Sequence, residues 1–247
     1  MTETVELVEE LPVIAPTRRS MGPQPFRAIK YLASSLWNVR DTISQARLGE
    51  STLQARFFRN AAAFADSPSG RRLYSQEGDL SDWIDDQSLW DDCGPETVAA
   101  HYQKFMERQN TNAKELKQLS RQWRMEDGWH DDRVGWYIVR AYSTHDICHV
   151  LFGYDFDVLG ELCLMACISP HYPSIGIAVQ LQFGARRLSG IEPYPGYAKA
   201  AVDEAYAIGR NVPAVWEQDI RELMRMDLTA ARKKLGIRLP ELYKRLQ

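Results

Sequence analysis

Cysteine is scarce in this sequence, and its spacing excludes two common ways of holding a small fold together. The four cysteines are Cys93, Cys148, Cys163 and Cys167, and no two of them form a C-x-x-C pair. That pattern argues against a disulfide framework or a cysteine-rich zinc ribbon. Basic residues are not in excess either, because 30 Lys and Arg stand against 33 Asp and Glu, a net charge of −3. We therefore expect no nucleic-acid partner.

Targeting signals and a membrane-spanning run are lacking as well. The first residues, MTETVELVEELPVIAP, are acidic, whereas a secretory signal starts with basic residues and a transit peptide is rich in arginine. The stretch from Leu162 to Ala185 contains no Lys, Arg, Asp or Glu, but Pro170 and Pro173 interrupt it. Because proline breaks a spanning helix, we predict two core helices joined by a turn.

In most of the chain the apolar residues recur at helical spacing, and very few segments show the apolar–polar alternation of a strand. We predict an all-α fold, with a flexible arm over 1–22 and a single helical domain over 23–247. The domain is expected to hold about seven to nine helices. Long helical patterns cover 25–50, 131–152 and 214–237.

The segment AYSTHDICHVLFGYDFDVLGEL, residues 141–162, holds two of the five histidines. An α-helix advances about 100° per residue, so with His145 at zero, His149 lies at about 40° and Asp146 at about 100°. The three side chains share one face and converge closely enough to bind one ion. The spacing of the two histidines is also that of the H-E-x-x-H metal helix.

A further carboxylate, Glu161, follows after a predicted reversal of the chain. Gly153 is suited to ending the first helix, and Asp157 is suited to capping the next one. Two helices joined by a short loop are antiparallel and face each other. Glu161 can therefore reach back to His145 and His149, and the motif lies on two consecutive antiparallel helices.

Imidazole and carboxylate ligands without a thiolate suit Zn²⁺, and also Fe²⁺ or Mn²⁺. Structural zinc sites prefer cysteine, so this set favours a catalytic ion. If all four groups bind zinc, no position remains for water, and Asp146 is then the best candidate for orienting a histidine instead. The alternative is that both histidines are only hydrogen-bonded to acids. For His101, His130 and His171 a structural role is expected.

The segment around His145 and His149 resembles a motif of a known protein family. HDICHVLFGYDFDVLGE resembles the His-Asp-x-x-His-x11-Glu motif of the ubiquinone (coenzyme Q) biosynthesis protein Coq-four family. The ending VWEQDIRELMRMDLTAARKKLGIRLP is similar to that of the family, and the N-terminal helix and SPSGRRLYSQ are similar in placement. The resemblance covers roughly residues 25 to 240, and the segments 79–92 and 190–216 depart from it.

The resemblance implies an all-helical homodimer with a metal held by His145, Asp146, His149 and Glu161. From the donor set we expect a divalent ion, zinc first and iron or manganese next. The resemblance also implies a part in ubiquinone biosynthesis, in which the C1 carboxylate of a polyprenylated hydroxybenzoate is removed, or replaced by hydroxyl in an oxidative version. Other enzymes of the pathway and a membrane surface are implied as partners. Without a transit peptide, we expect the bacterial cytoplasm, peripheral to the inner membrane.

Additional residues are predicted to serve this chemistry. Asp146 and Tyr142 are the catalytic candidates. Tyr142 falls at about 60° on the predicted helix of His145, on the same face as the proposed ligands. A packed core tyrosine is the alternative. Residues predicted to bind the polyprenyl tail or an anionic head group are Leu164, Met165, Ile168, Ile175, Val179, Phe183, Arg186 and Arg187. A plain helix–helix core and a solvated arginine pair are the alternatives there.

Two functions from different classes therefore stay open. One is a metal-dependent decarboxylase or oxidative decarboxylase of the prenylated hydroxybenzoate. The other is a non-catalytic scaffold that binds the isoprenoid lipid, organises an enzyme complex and contains a structural or vestigial metal.

Overall fold

The fold is entirely helical over the residues that the computed structural model describes, which are 11–18, 21–37, 42–109, 132–190 and 196–246. The all-α prediction is confirmed, although these residues form twelve α-helices rather than seven to nine. The helices are α1 Pro25–Trp37, α2 Thr42–Ser51, α3 Ala55–Asp66, α4 Pro68–Glu77, α5 Val98–Gln109, α6 Arg133–Ser143, α7 His145–Phe152, α8 Val158–Ile168, α9 Ile175–Ser189, α10 Tyr197–Gly209, α11 Ile220–Arg225 and α12 Leu228–Leu235.

One reason for the larger number is a break at Thr144 in the helix predicted over 131–152. Thr144 ends α6 and begins α7, with φ −93° and ψ 1°. Its buried hydroxyl donates to the carbonyls of Arg140 and Ala141, each at 3.1 Å. A threonine side chain that bonds to the preceding turn competes with the regular ladder and bends the helix. Tyr142 therefore lies on a different helix from His145.

The C-terminal pattern over 214–237 is divided for a similar reason. Met226 adopts an extended backbone, with φ −74° and ψ 149°. Asp227 then caps α12 by accepting a hydrogen bond from the amide of Ala230 at 2.9 Å. An aspartate favours a helix start over a helix interior, because its carboxylate satisfies a free amide of the first turn.

The charge-free segment folds as two helices with a turn between them, as predicted. α8 ends at Ile168, and Ser174 caps α9 by accepting from the amide of Ile177 at 3.2 Å. α8 also packs closely on α10, where a Cβ added to Gly209 would lie 2.0 Å from the carbonyl oxygen of Cys167. Among the described residues, no helix is both long enough and apolar enough to span a bilayer.

A buried ion pair holds the centre of the fold together. Arg140 of α6 and Glu77 of α4 are 2.5 Å apart, with side chains 0% and 2% exposed. Arg140 also donates to the carbonyls of Trp216 and Gln218 at 2.6 and 2.7 Å. Glu77 accepts from the amide of Ile220 at 3.1 Å. Because these partners lie on four parts of the chain, the pair fixes α6 and hence the start of α7.

Residues 11–18 of the predicted arm contact the beginning of α6. Asp132 caps that helix through the amide of Gly135 at 2.7 Å, and it accepts from the amide of Ala15 at 2.9 Å. Arg18 pairs with the same carboxylate at 2.5 Å. Burial acts to raise the pKa of Asp132, but these hydrogen bonds outweigh it and lower that pKa.

Candidate metal centre

Three potential ligands converge on α7 as the helical spacing predicts. One ligand atom each from His145, Asp146 and His149 lies within 4.8 Å of the others. α7 ends at Gly153, which adopts the left-handed conformation with φ 76°. Arg232 of α12 donates to the carbonyls of Leu151 and Val150, both at 2.9 Å. A non-local arginine therefore satisfies the free carbonyls at the end of the helix that presents the histidines.

Glu161 reaches back from α8 to both imidazoles. Its two carboxylate oxygens lie 3.0 Å from Nε2 of His149 and 3.4 Å from Nε2 of His145. Asp157 caps α8, as predicted, by accepting from the amides of Leu159 and Gly160 at 2.9 and 3.0 Å. The structure thus places Glu161 beside both histidines of the three-residue cluster on α7.

The imidazole of His149 is fixed on both sides. Its Nδ1 lies 3.2 Å from the carbonyl oxygen of Tyr154, which leaves Nε2 facing Glu161. Phe105 of α5 stacks on the ring, with centroids 5.2 Å apart and planes at 23°. Phe156 lies on another side at 5.9 Å and is exposed. A metal-binding histidine is commonly oriented in this way through its second nitrogen.

The charges of these groups depend on one another. Burial acts to lower the pKa of His145, but the hydrogen bond and the charge of Glu161 outweigh burial and raise it to about 9. Burial acts to raise the pKa of Glu161, and the two histidines lower it well below its usual range. Burial raises the pKa of Asp146, against the opposing effect of the histidines. The site therefore favours a charged Glu161 between nitrogen donors.

The donor set fits a divalent cation. It offers imidazole nitrogen and carboxylate oxygen, which zinc, iron and manganese all accept. Glu161 is hydrogen-bonded to the imidazole nitrogens that would bind the ion. The cysteines near the hairpin do not join the cluster, and burial raises the pKa of Cys167 to about 12. A thiol with that pKa is a poor ligand at neutral pH.

Tyr142 lies on α6, and the break at Thr144 separates that helix from α7, so the angle predicted for a single straight helix does not apply to it. Its hydroxyl accepts a hydrogen bond from Tyr172 at 3.3 Å. Burial and the nearby Glu50 raise the pKa of Tyr142 well above its usual value. The hydroxyl thus belongs to a polar cluster between α2 and α6, and a contact with substrate remains a prediction.

The residues predicted to bind the tail divide into two groups. Leu164 is fully buried, while Met165 and Ile168 are partly buried and pack against the core. Ile175 and Phe183 are 52% and 57% exposed. Val179 is half-buried between them, and Arg186 and Arg187 are exposed at the end of α9. The α9 residues thus form an outer face, the α9 face, defined here by Ile175, Val179, Phe183, Arg186 and Arg187.

Two further features were not found from the sequence. A cavity of about 360 Å³ lies between α8, α9 and α10, with Ala166, Leu181 and Val202 in its wall. Phe105 stacks on His149 from 44 residues earlier in the chain, which no local spacing signals.

Of the other histidines, Nε2 of His171 lies 3.2 Å from the carbonyl oxygen of Gly209, and His130 lies outside the described residues.

No curated protein matches the sequence significantly. A crystal structure from Nostoc punctiforme PCC 73102, of a protein described provisionally as a ubiquinone biosynthesis protein, is similar at 21% identity. The TM-score is 0.55, and the match covers 86% of this chain and 96% of that one. At that identity, the likeness establishes a shared fold only.

The family comparison extends over most of the chain. Residues 24–241 match the family described as Coenzyme Q (ubiquinone) biosynthesis protein Coq4. That range includes every helix of the fold from α1 to α12 and the whole candidate metal centre. The chain therefore belongs to the coenzyme Q (ubiquinone) biosynthesis protein Coq4 family.

Proposed function

We propose that this protein catalyses the metal-dependent removal of the C1 carboxylate from a polyprenylated hydroxybenzoate during ubiquinone biosynthesis. The observation that carries the proposal is the clustering of His145, Asp146 and His149 on α7, with Glu161 of α8 beside both imidazoles. Ligands of this type, without a thiolate, are typical of catalytic rather than structural ions. Family membership supplies the pathway, the resemblance to the family implies the reaction class, and the ligand chemistry is compatible with both.

The reaction breaks the bond between ring carbon C1 and the carboxylate carbon. The electron pair stays on C1, CO₂ leaves, and a proton joins C1 in its place, so that the ring remains aromatic. A divalent ion, when bound, would withdraw electron density from substrate oxygens and offset the negative charge that develops on the ring. A hydroxylating version needs an oxidant in addition, which supplies the oxygen atom that replaces the carboxylate.

The residues of the hairpin have separate tasks in this proposal. His145, His149 and Glu161 hold the ion. Asp146 is half-buried next to them and either completes the ligands or delivers the proton to C1. Phe156 is an exposed aromatic ring beside His149, where it is available to contact the ring of the substrate. Aromatic contacts of this kind orient a flat substrate without adding charge.

The α9 face supports contact with a lipid surface. α9 contains no acidic residue, and its exposed apolar side chains Ile175 and Phe183 are followed by Arg186 and Arg187. Apolar side chains beside a basic pair suit a membrane with anionic head groups. A protein whose substrate has a polyprenyl tail benefits from such contact, since each buried CH₂ contributes about 0.8 kcal/mol.

The test uses metal-loaded protein and a short-chain prenylated hydroxybenzoate with ¹³C in its carboxylate. Release of ¹³CO₂, measured by mass spectrometry with and without O₂, is the expected result. Chelated protein and the His149→Ala variant should release none, whereas the His101→Ala control should behave like the unaltered protein. Fully loaded protein that binds the substrate and releases no ¹³CO₂ in either atmosphere would remove the decarboxylase proposal.

The scaffold is the second candidate, and the α9 face is the observation that favours it. An exposed apolar and basic face suits docking to a membrane or to a pathway partner as well as it suits substrate uptake. The two candidates differ in their need for the ion. A scaffold with a vestigial metal should support ubiquinone synthesis in a deficient strain after His149→Ala, whereas an enzyme should not. The homodimer remains a prediction that light scattering on purified protein can test.

A further inference from the structure

The loop between α7 and α8 is connected to two of the proposed metal ligands. The carbonyl of Tyr154 lies 3.2 Å from Nδ1 of His149 and orients that ring. Asp157 caps the first turn of α8, and its carbonyl accepts from the amide of Glu161 at 2.9 Å. Any displacement of this loop therefore changes the position of His149 and Glu161 relative to each other.

A tyrosine from the C-terminal end of the chain holds this loop. Tyr243 is 1% exposed. Its hydroxyl accepts a hydrogen bond from the amide of Asp155 at 2.9 Å and donates a short one to the carboxylate of Asp157. Its ring packs edge-on against Tyr154, with centroids 5.1 Å apart. Tyr243 thus contacts three of the residues between the two helices.

Tyr243 is enclosed by α8 on one side of its hydroxyl and is held by α10 through its own chain segment on the other. A Cβ added to Gly160 would lie 2.0 Å from the carbonyl oxygen of Asp155 and 2.9 Å from the Tyr243 hydroxyl oxygen. The loop backbone therefore requires glycine at this position, and the Tyr243 hydroxyl lies close to it as well. On the other side, Glu204 of α10 accepts from the amide of Leu242 at 2.9 Å and fixes the segment that carries Tyr243. The hydroxyl is therefore held in place by groups that do not belong to the metal centre.

We propose that Tyr243 is a positioning residue for the metal centre, which sets the spacing of His149 and Glu161 through its hydrogen bonds to Asp155 and Asp157. This inference rests on the metal centre described under the proposed function. It goes beyond that function, because the residue belongs to a remote segment and does not touch the ion or the substrate. A purely structural tyrosine would affect only stability, and this difference makes the inference testable.

The main experiment compares Tyr243→Phe with Tyr137→Phe in the full chain. Tyr137 is a matched control, since its buried hydroxyl also donates to a carboxylate, that of Glu217 at 2.7 Å. Co²⁺ serves as the probe, with its affinity and its visible absorption spectrum as readouts. Tyr243→Phe should weaken Co²⁺ binding roughly tenfold and change the spectrum, as outer partners of ligands do. Tyr137→Phe should leave both unchanged at a comparable loss of stability.

Asp157→Asn is the second variant, and it should shift Co²⁺ affinity in the same direction, because it retains a capping oxygen and alters the bond to Tyr243. Unchanged affinity and spectrum in Tyr243→Phe would overturn the inference. An equal loss in Tyr243→Phe and Tyr137→Phe would overturn it as well, since that result indicates general destabilisation.

A readout without metal separates this inference from the proposed function. In the metal-free protein, the imidazole N–H of His149 that faces Tyr154 should give a slowly exchanging proton resonance. Tyr243→Phe should accelerate that exchange at least about tenfold, which is the change expected when a local hydrogen bond opens more often. If the unaltered protein binds no Co²⁺, the metal proposal fails, and this exchange measurement alone supports or overturns the role of Tyr243.

Discussion

An oxygen of Glu161 lies 3.0 Å from Nε2 of His149, although the two residues are twelve positions apart and stand on different helices. The side chain of His149 is fully buried, whereas that of Glu161 is 34% exposed. The contact therefore joins a fixed nitrogen in the interior to a carboxylate that remains accessible from outside. An arrangement of this kind allows an ion to enter from the side of Glu161 and to bind against an oriented imidazole.

Loss of that imidazole should abolish metal binding. We expect His149→Ala to lower bound zinc, iron and manganese at least about tenfold, because one proposed ligand is removed and Glu161 keeps only its contact with His145. Elemental analysis of purified protein measures the effect. His101→Ala and Cys163→Ala are the controls, since neither residue belongs to the cluster. Equal metal content in all three variants would contradict the assignment of the centre.

The metal-free protein should lose stability as the pH rises from about 6.5 to about 9. Glu161 raises the pKa of His145 from 6.5 to about 9, so the pair stabilises the fold fully below the unfolded value and less as His145 loses its proton. His145 is 30% exposed, and solvent screening reduces the effect to about 1–2 kcal/mol. Urea unfolding with a chelator at pH 6.5 and 9.5 measures it.

The matched variant for this pH dependence is Glu161→Gln. It removes the charge that raises the pKa of His145 and should abolish most of the difference between the two pH values. Other groups that titrate in the same range affect both proteins alike, so the comparison isolates the pair. An identical pH dependence with and without the carboxylate would show that the pair does not contribute.

The close packing of α8 on α10 should not tolerate a methyl group. A Cβ at Gly209 would lie 2.0 Å from the carbonyl oxygen of Cys167, whereas Gly94 has nothing within 4 Å of the same position. We expect Gly209→Ala to lower the free energy of unfolding by about 2–4 kcal/mol, because the neighbour is backbone and cannot rotate away. Gly94→Ala should change it by less than about 0.5 kcal/mol. Equal effects would contradict the close approach.

The α9 face should bind vesicles that contain anionic lipid. Replacing Arg186 and Arg187 by glutamine should weaken binding to phosphatidylglycerol vesicles about thirtyfold, at about 1 kcal/mol for each charge. The control is the same replacement at Lys233 and Lys234, which are exposed on α12. Vesicle sedimentation at low salt measures both. A similar loss in both double variants would indicate a non-specific effect of net charge.

Short-range rules were sufficient for the hairpin that carries the candidate centre. The spacing of His145, Asp146 and His149 placed their donors on one face, because neighbours on a helix follow a fixed angle. Gly153 and Asp157 were identified as the end of one helix and the start of the next for equally local reasons. The approach of Glu161 to the histidines then followed from a short connection.

Two outcomes were not decided by the helical periodicity alone, one for a local reason and one through packing. Thr144 interrupts a helical pattern that is continuous in the sequence, because its hydroxyl bonds to the preceding turn. That break places Tyr142 on α6, so the angle of a single straight helix does not apply to it. The exposure of Ile175 and Phe183 was equally undecided, since an apolar residue on an amphipathic helix can face either the core or a partner.

The amino-acid sequence alone determined an all-helical chain and a cluster of nitrogen and oxygen donors on consecutive helices, because both depend on angles and caps within a few residues. Only the folded structure decided that Phe105 stacks on His149, that Arg232 caps α7, and that Tyr243 holds the loop between the donors. These partners come from 44 residues before His149 and from more than 80 residues after it. Contacts over such separations depend on how the helices pack, and no local spacing encodes them.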